Sequence, residues 1–234
     1  MQVRRPRLCY ITDRRALGPR PLLPAIQEAL EAGIDLIQIR EKDLPTPELW
    51  RLVDAAVEAA RGVGNGAGGA TAGGGARIVV NDRLDIALAA GAQGVHLGGR
   101  SMRPGQVRAV IPAAEPAFWV GVSCHSSADV LAAEIAGADY AMLGPIFETP
   151  SKLSYGPPLG LSILKEAVRQ RRIPVLALGG ITPERVRACL QAGAAGIAGI
   201  SIFQGCRYVA ERVRELNREI DQIDQEFCRQ GRPG

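Results

Sequence analysis

The stretch LIQIREKDLP, Leu36 to Pro45, opens as an apolar strand and closes on charge. Gln38, Arg40 and Lys42 stand two apart, so a strand carried that far points all three side chains the same way. Two cations on one buried face call for something anionic to meet them. In LALGGITPERV a strand runs into Gly179 and Gly180, then into a helix whose first turn starts near Pro183. Glycines let the backbone approach a ligand, and the free N–H groups of a helix start favour an anion. The loop GPIFETPSKLSYGPPLG gathers Thr149, Ser151 and Lys152. Two hydroxyls and an ammonium suit phosphate oxygens, and the Gly- and Pro-punctuated segment has the form of a lid. The chemistry these groups share is the handling of phosphate.

Each of these features also has a plainer reading. A glycine pair makes a tight turn, and a polar loop carrying one lysine is ordinary solvated surface. Asp82 is the metal candidate, because Mg²⁺ beside phosphates is held through one or two carboxylates. It could equally cap the helix in RLDIALAA, where Asp85 is solvated. His125, two residues after Ser123, divides evenly between a site residue and a structural one. His96, in GVHLGG, suits a packed strand equally well.

Something must hold these groups together, and the chain repeats itself. AGIDLIQIR, AGAQGVHLG, AGADYAMLG and AGAAGIAGI each read as a helix end with a C-cap glycine, followed by a short strand. They recur roughly 50 residues apart, about two βα units per repeat. LCYITD, RIVVND, FWVGVS and IPVLALGG supply four further strands. All are short, apolar on both faces and rich in Val and Ile, as parallel strands between helices are. Helical patterns fill the gaps, so an α/β chain forming a single (β/α)8 TIM barrel over residues 1–234 is expected. A doubly wound open sheet is the alternative, weakened because no GxGxxG follows the first strand. Residues 62–76, GVGNGAGGATAGGGA, read as a flexible insertion between a helix and the third strand. The polar tail from about Gln222 is expected to fray.

The barrel can be tested within the sequence, because its working residues sit at the C-terminal ends of strands. Those ends carry Asp13; Gln38, Arg40 and Lys42; Asn81 and Asp82; His96; Ser123 and His125; Gly144; Gly179 and Gly180; and Ser201. Strand beginnings show no comparable cluster.

Bulk properties narrow the partners. The chain has 234 residues, is 47% hydrophobic and carries a net charge of +4. Only 4% of residues are aromatic, and no basic run is interleaved with them, which argues against nucleic acid. No apolar run reaches membrane-spanning length. The five cysteines are scattered without a CxxC pair, as expected of reduced thiols in a cytoplasm. The expected partners are small phosphorylated molecules, and a homo-oligomer is compatible with the sequence.

Taken in order, QIREK, VVNDRLDIALAAGAQGVHLG, GVSCHS, GADYAMLGPIFETPSK, ALGGITPE and AGIS resemble the thiamine phosphate synthase and thiazole tautomerase superfamily, from about Leu8 to Phe203. For the synthase branch the resemblance implies a (β/α)8 barrel and Mg²⁺. It implies the joining of a hydroxymethylpyrimidine diphosphate to a hydroxyethylthiazole phosphate, with release of diphosphate. Gln38, Arg40 and Lys42 then match the diphosphate-binding strand, with Asn81 and Asp82 as its Asn and first metal-binding Asp. Ser123 matches a pyrimidine-pocket serine. Thr149, Ser151 and Lys152 match a Thr-x-Thr-Lys loop, and Gly180, Ile200 and Ser201 match the thiazole-phosphate site. Arg40, Lys152, Ser123 and His125 are the expected catalytic residues.

Ser151 replaces the second Thr of the Thr-x-Thr-Lys loop, and one further position departs seriously from the synthase pattern. A second metal-binding Asp is expected shortly after VHLG, and HLGGRSM has Ser101 there. That text is closer to the tautomerase branch, a metal-independent isomerase in which His125 would shuttle a proton. Asp82 and the complete Gln-x-Arg-x-Lys favour the synthase. A non-catalytic phosphate-binding barrel is the third alternative.

Overall fold

A computed structural model describes residues 6–64, 75–111, 118–149 and 157–229. Eight strands, β1 (Leu8–Ile11), β2 (Leu36–Ile39), β3 (Arg77–Asn81), β4 (Gly94–Leu97), β5 (Trp119–Cys124), β6 (Tyr140–Leu143), β7 (Val175–Leu178) and β8 (Gly196–Gly199), pair in chain order into a closed parallel barrel. All eight expected strands are present. Around them lie α1 (Leu22–Glu31), α2 (Thr46–Gly64), α3 (Leu84–Ala89), α4 (Pro104–Val110), α5 (Ser127–Ile135), α6 (Gly160–Val168), α7 (Pro183–Gln191), α8 (Ser201–Gln204) and α9 (Val209–Arg229).

The repeated Ala-Gly pairs have a physical cause. Gly33, Gly91, Gly137 and Gly193 all have positive φ, which a side chain would resist. Each ends a helix in a Schellman turn; in the first, Gly33 N donates to the Leu30 carbonyl and Ile34 N to that of Ala29, both at 3.1 Å. The chain then drops straight into a strand. Three of the four strands are pinned by the residue just before them. Asp35 Oδ2 accepts from Arg7 N and Leu8 N, Gln93 Oε1 from Ile78 N, and Asp139 Oδ2 from Val120 N. These ties lie at the strand starts, the end of the barrel devoted to stability.

Alternation along each strand divides the core in two. Ile37, Val80, Val95, Val120, Leu143 and Ala177 face the helices. Cys9, Leu36, Val79, Trp119, Tyr140, Met142, Leu176 and Ala198 fill the cylinder. Two large rings fit inside because small residues stand beside them. Gly121 pairs in register with Tyr140, and a Cβ there would overlap the Tyr140 ring.

Three boundaries differ from the sequence reading. β2 stops at Ile39, so Arg40 and Lys42 lie in the following loop and not on one continuous strand. Ser201 opens the one-turn helix α8 and does not continue β8. The stretch from Gln222 is helical as far as Arg229, because Ile220 and Ile223 are buried on the apolar stripe of α9. Residues 65–74, the bulk of the glycine-rich insertion, lie outside the described residues, as do 230–234. All five cysteines are free. Among the described residues no helix is long and apolar enough to cross a membrane.

The crowding at Gly121 sets a stability test. Gly121→Ala is expected to cost about 1–3 kcal/mol through overpacking against Tyr140. Gly62→Ala, on the exposed end of α2 with no atom of a described residue near the added methyl, should be neutral or stabilising. Urea unfolding midpoints of the two variants check the contrast.

Candidate active site

In a closed parallel barrel the last inward side chain of each strand points into one mouth. On β2, β3, β4 and β5 those side chains are Gln38, Asn81, His96 and Ser123, and all four are polar. Gln38 is buried. Its Nε2 donates to Asn81 Oδ1 at 2.9 Å, and Asn81 Nδ2 donates to Asp82 Oδ2 at 2.8 Å. Gln38 Oε1 has no hydrogen-bond partner among the described residues.

Asp82 does not cap α3. Its backbone is left-handed, with φ 61°, and this turns the carboxylate across to the loop after β4. There Oδ1 accepts from the Gly98 amide and from the Ser101 hydroxyl, which itself accepts from Gly98 N at 2.8 Å. Burial opposes ionisation of Asp82. The bonds from Ser101, Gly98 and Asn81 and the charge of Lys42 outweigh it, holding the carboxyl below its usual range. Ser101 therefore supplies a hydroxyl, not a second carboxylate, beside Asp82. Asp85 points away, exposed and paired with Arg83 at 2.6 Å.

Two cations act electrostatically on this mouth, Lys42 on Asp82 and Arg40 on His96. Arg40 is half-buried and forms no ion pair with a described residue. Its amide donates to Thr12 Oγ1 at 2.9 Å, and Thr12 donates in turn to Glu41 Oε1 at 2.7 Å. Glu41 is buried, also accepts from the Arg14 amide, and pairs with the Arg14 guanidinium at 3.2 Å. Arg14 reaches on to Asp43 with two more bonds. This clamp ties the loops after β1 and β2 and fixes the backbone that presents Arg40 and Lys42. The sequence reading passed over Glu41 and Thr12. The available signal was period two, which puts Glu41 on the side opposite Arg40, facing the neighbouring loop.

His96 resolves toward the packed alternative, yet it touches the mouth. Its Nε2 lies 2.9 Å from Ser123 Oγ, and its Nδ1 lies 3.1 Å from the Tyr140 hydroxyl. Burial pushes its pKa down to about 4; Asp82 works against this and Arg40 with it, so the imidazole is neutral. His125 is exposed, and its Nδ1 donates to the Gly144 carbonyl at 2.6 Å.

On the other side of the mouth, Gly179 and Gly180 both have positive φ. A Cβ on Gly179 would lie 2.6 Å from Pro145 Cα, so the glycines let the β7 loop lie against the segment after β6. Phe147 N donates to the Gly179 carbonyl at 3.1 Å, and Arg185 donates to that of Gly180 at 2.7 Å. The parallel register of β7 and β8 sets Gly180 near Ile200 and Ser201, at the start of α8. A short extra helix after β8 is a recurring phosphate-binding element of this fold. Thr149 ends the described part of the β6 loop; Ser151 and Lys152 lie outside the described residues.

The donor set can be compared with what Mg²⁺ requires. Among the described residues no three His, Cys, Asp or Glu side chains gather as a metal site. One ionised carboxylate beside a hydroxyl fits an ion whose remaining ligands are phosphate oxygens and water.

A closed (β/α)8 barrel with ionisable and amide side chains gathered at its C-terminal mouth belongs to the barrel enzymes that work at that end. Residues 8–203 match the family model described as thiamine monophosphate synthase. The chain is 42% identical over 209 residues to a putative thiamine-phosphate synthase of Geobacter sulfurreducens, covering 89% of this chain and 92% of that one. It is 42% identical over 213 residues to the thiamine-phosphate synthase of Methanoculleus marisnigri, covering 91% and 94%. The solved structure of a thiamine phosphate pyrophosphorylase from Pyrococcus furiosus superposes with a TM-score of 0.79 at 33% identity, over 93% of this chain and 96% of that one. The chain belongs to the thiamine monophosphate synthase family, a family of transferases.

The buried histidine sets a pH dependence. The unfolded chain takes up a proton at the ordinary value of 6.5, whereas the folded His96 resists until about 4. Its contribution to stability is therefore complete above pH 6.5 and is lost on acidification between 6.5 and 4, reaching about 3 kcal/mol. Chemical denaturation of wild type and His96→Gln across this range should show that the variant lacks this part of the acid slope.

Proposed function

We propose that this protein is a thiamine-phosphate synthase. It joins a hydroxymethylpyrimidine diphosphate to a hydroxyethylthiazole phosphate to give thiamine phosphate and diphosphate. The observation that carries this reading is the ordered row Gln38–Asn81–Asp82 at the mouth, followed on the β2 loop by Arg40, which has no ion pair to a described residue, in a chain of this family.

The chemistry follows from charge. The bond between the pyrimidine methylene carbon and the diphosphate oxygen breaks, and its electron pair leaves with diphosphate. The thiazole nitrogen then gives its pair to the same carbon. Negative charge grows on the leaving group, so fixed cations lower the barrier. Arg40 and Lys42 supply two, and Lys152, on the loop whose Thr149 and Ser151 offer hydroxyls, supplies a third. When bound, Mg²⁺ would rest on Asp82 and phosphate oxygens and neutralise part of that charge. Gln38 and Asn81 orient Asp82 and border the pyrimidine end, where Ser123 offers its hydroxyl. Gly180, Ile200 and Ser201 hold the thiazole phosphate through backbone amides and a hydroxyl. The free thiols suit a cytoplasmic setting.

The test is a coupled synthesis assay on both substrates, with and without EDTA. Diphosphate release that requires Mg²⁺ is the expected result. Arg40→Ala and Lys152→Ala should each lower kcat by about 10²- to 10³-fold. Ser101→Asp, which adds a carboxylate beside Asp82, should lower the Mg²⁺ concentration needed for half-maximal rate. Metal-independent isomerisation of a thiazole carboxylate phosphate, lost in His125→Ala, would overturn the proposal in favour of a tautomerase.

A further inference from the structure

The synthase reading leaves Tyr140 and His96 without a task, yet both are buried inside the barrel and joined to Ser123. We propose that the Tyr140–His96 pair is a positioning device: it locks His96 in the Nε2–H tautomer, so that Ser123 accepts from His96 and turns its own proton into the mouth, as a fixed donor to a ring nitrogen of the bound heterocycle.

The tautomer follows from counting protons. A neutral imidazole carries one N–H and one acceptor nitrogen. The Tyr140 hydroxyl is fully buried, and its one hydrogen-bond partner among the described residues is His96 Nδ1. Were Nδ1 to carry the proton, it would donate to the Tyr140 oxygen. The phenol proton would then have no acceptor in the closed core, where an unpaired donor is disfavoured. With the phenol as donor to Nδ1, the imidazole proton must sit on Nε2, 2.9 Å from Ser123 Oγ. Ser123 then accepts from below, and its hydroxyl hydrogen is left for a ligand above. Neither partner can drift. Tyr140 is wedged against Gly121 and Trp119, with the Trp119 and Tyr140 ring centroids 5.8 Å apart, and the His96 ring packs on Tyr140 at 5.6 Å. Burial keeps the imidazole uncharged, so the tautomer persists across neutral pH.

The serine thus arrives with a fixed sense. A hydroxyl can ordinarily rotate to donate or accept; here the neighbour beneath it removes one choice. A ring that presents an acceptor nitrogen is favoured, and one that presents an N–H at that point is refused. This step rests on the synthase reading. The tautomer itself does not.

The experiment has two arms. The chain has two histidines, so ¹⁵N-histidine labelling gives two imidazoles, and His125→Gln assigns them. The Nε2–H form of His96 should dominate at pH 7 by at least about tenfold, and Tyr140→Phe should relax that bias. In kinetics, Tyr140→Phe should raise KM for the pyrimidine substrate with a smaller change in kcat. In a Ser123→Ala background it should add nothing further to KM. A dominant Nδ1–H tautomer in wild type would overturn the inference. So would an equal rise in KM with and without the Ser123 hydroxyl, which marks a purely structural role. If no thiamine phosphate forms at all, the synthase reading fails, and the spectroscopic arm still decides the tautomer.

Discussion

Closure of the sheet is the constraint from which the rest of this molecule follows. Eight parallel strands of four to six residues can form a cylinder only if each keeps one set of alternate side chains inside. The inside is then a stack of layers. Lower layers must be apolar and tightly filled, which Leu36, Val79, Trp119 and Tyr140 do. The top layer meets solvent and can be polar. Gln38, Asn81, His96 and Ser123 form one continuous arc because parallel pairing sets Asn81 beside His96, and the Gln38–Asn81 and His96–Ser123 hydrogen bonds span the offset on either side.

Two lines of hydrogen bonds leave this arc, and each has a direction. One is anchored by an ionised carboxylate. Asp82 can only accept, so Asn81 must offer its amide N–H₂ and its oxygen must receive from Gln38. The other is anchored by a buried phenol, Tyr140, which has one place to donate among the described residues. Low local dielectric makes unpaired members of such networks costly, so a satisfied network is also a rigid one. The Glu41 clamp serves the same end for the cations. A buried carboxylate shared by Thr12 and Arg14 pins the loop after β2 that carries Arg40 and Lys42.

The absence of a second acidic residue at Ser101 is the departure with the largest electrostatic consequence from the pattern the family resemblance implies. Ser101 still engages Asp82, and still helps to keep it ionised. It contributes no charge of its own.

What the sequence by itself determined is the part governed by short-range periodicity. Eight apolar runs, four Ala-Gly helix stops and the polar residues at strand ends were enough to define the barrel and the membership of its mouth. Gln38, Asn81, Asp82 and Ser123 were all legible there. Tertiary structure alone decided the pairings. Tyr140 meets His96 from 44 residues away, Glu41 meets Thr12 from 29 and Ser101 meets Asp82 from 19. Strand ends were misjudged where a tertiary partner overrides the local pattern, as at Ile39, where Thr12 captures the Arg40 amide and the strand gives way to a loop. Such contacts depend on register and on the closing of the cylinder, and neither leaves a trace in the spacing of residues along one strand.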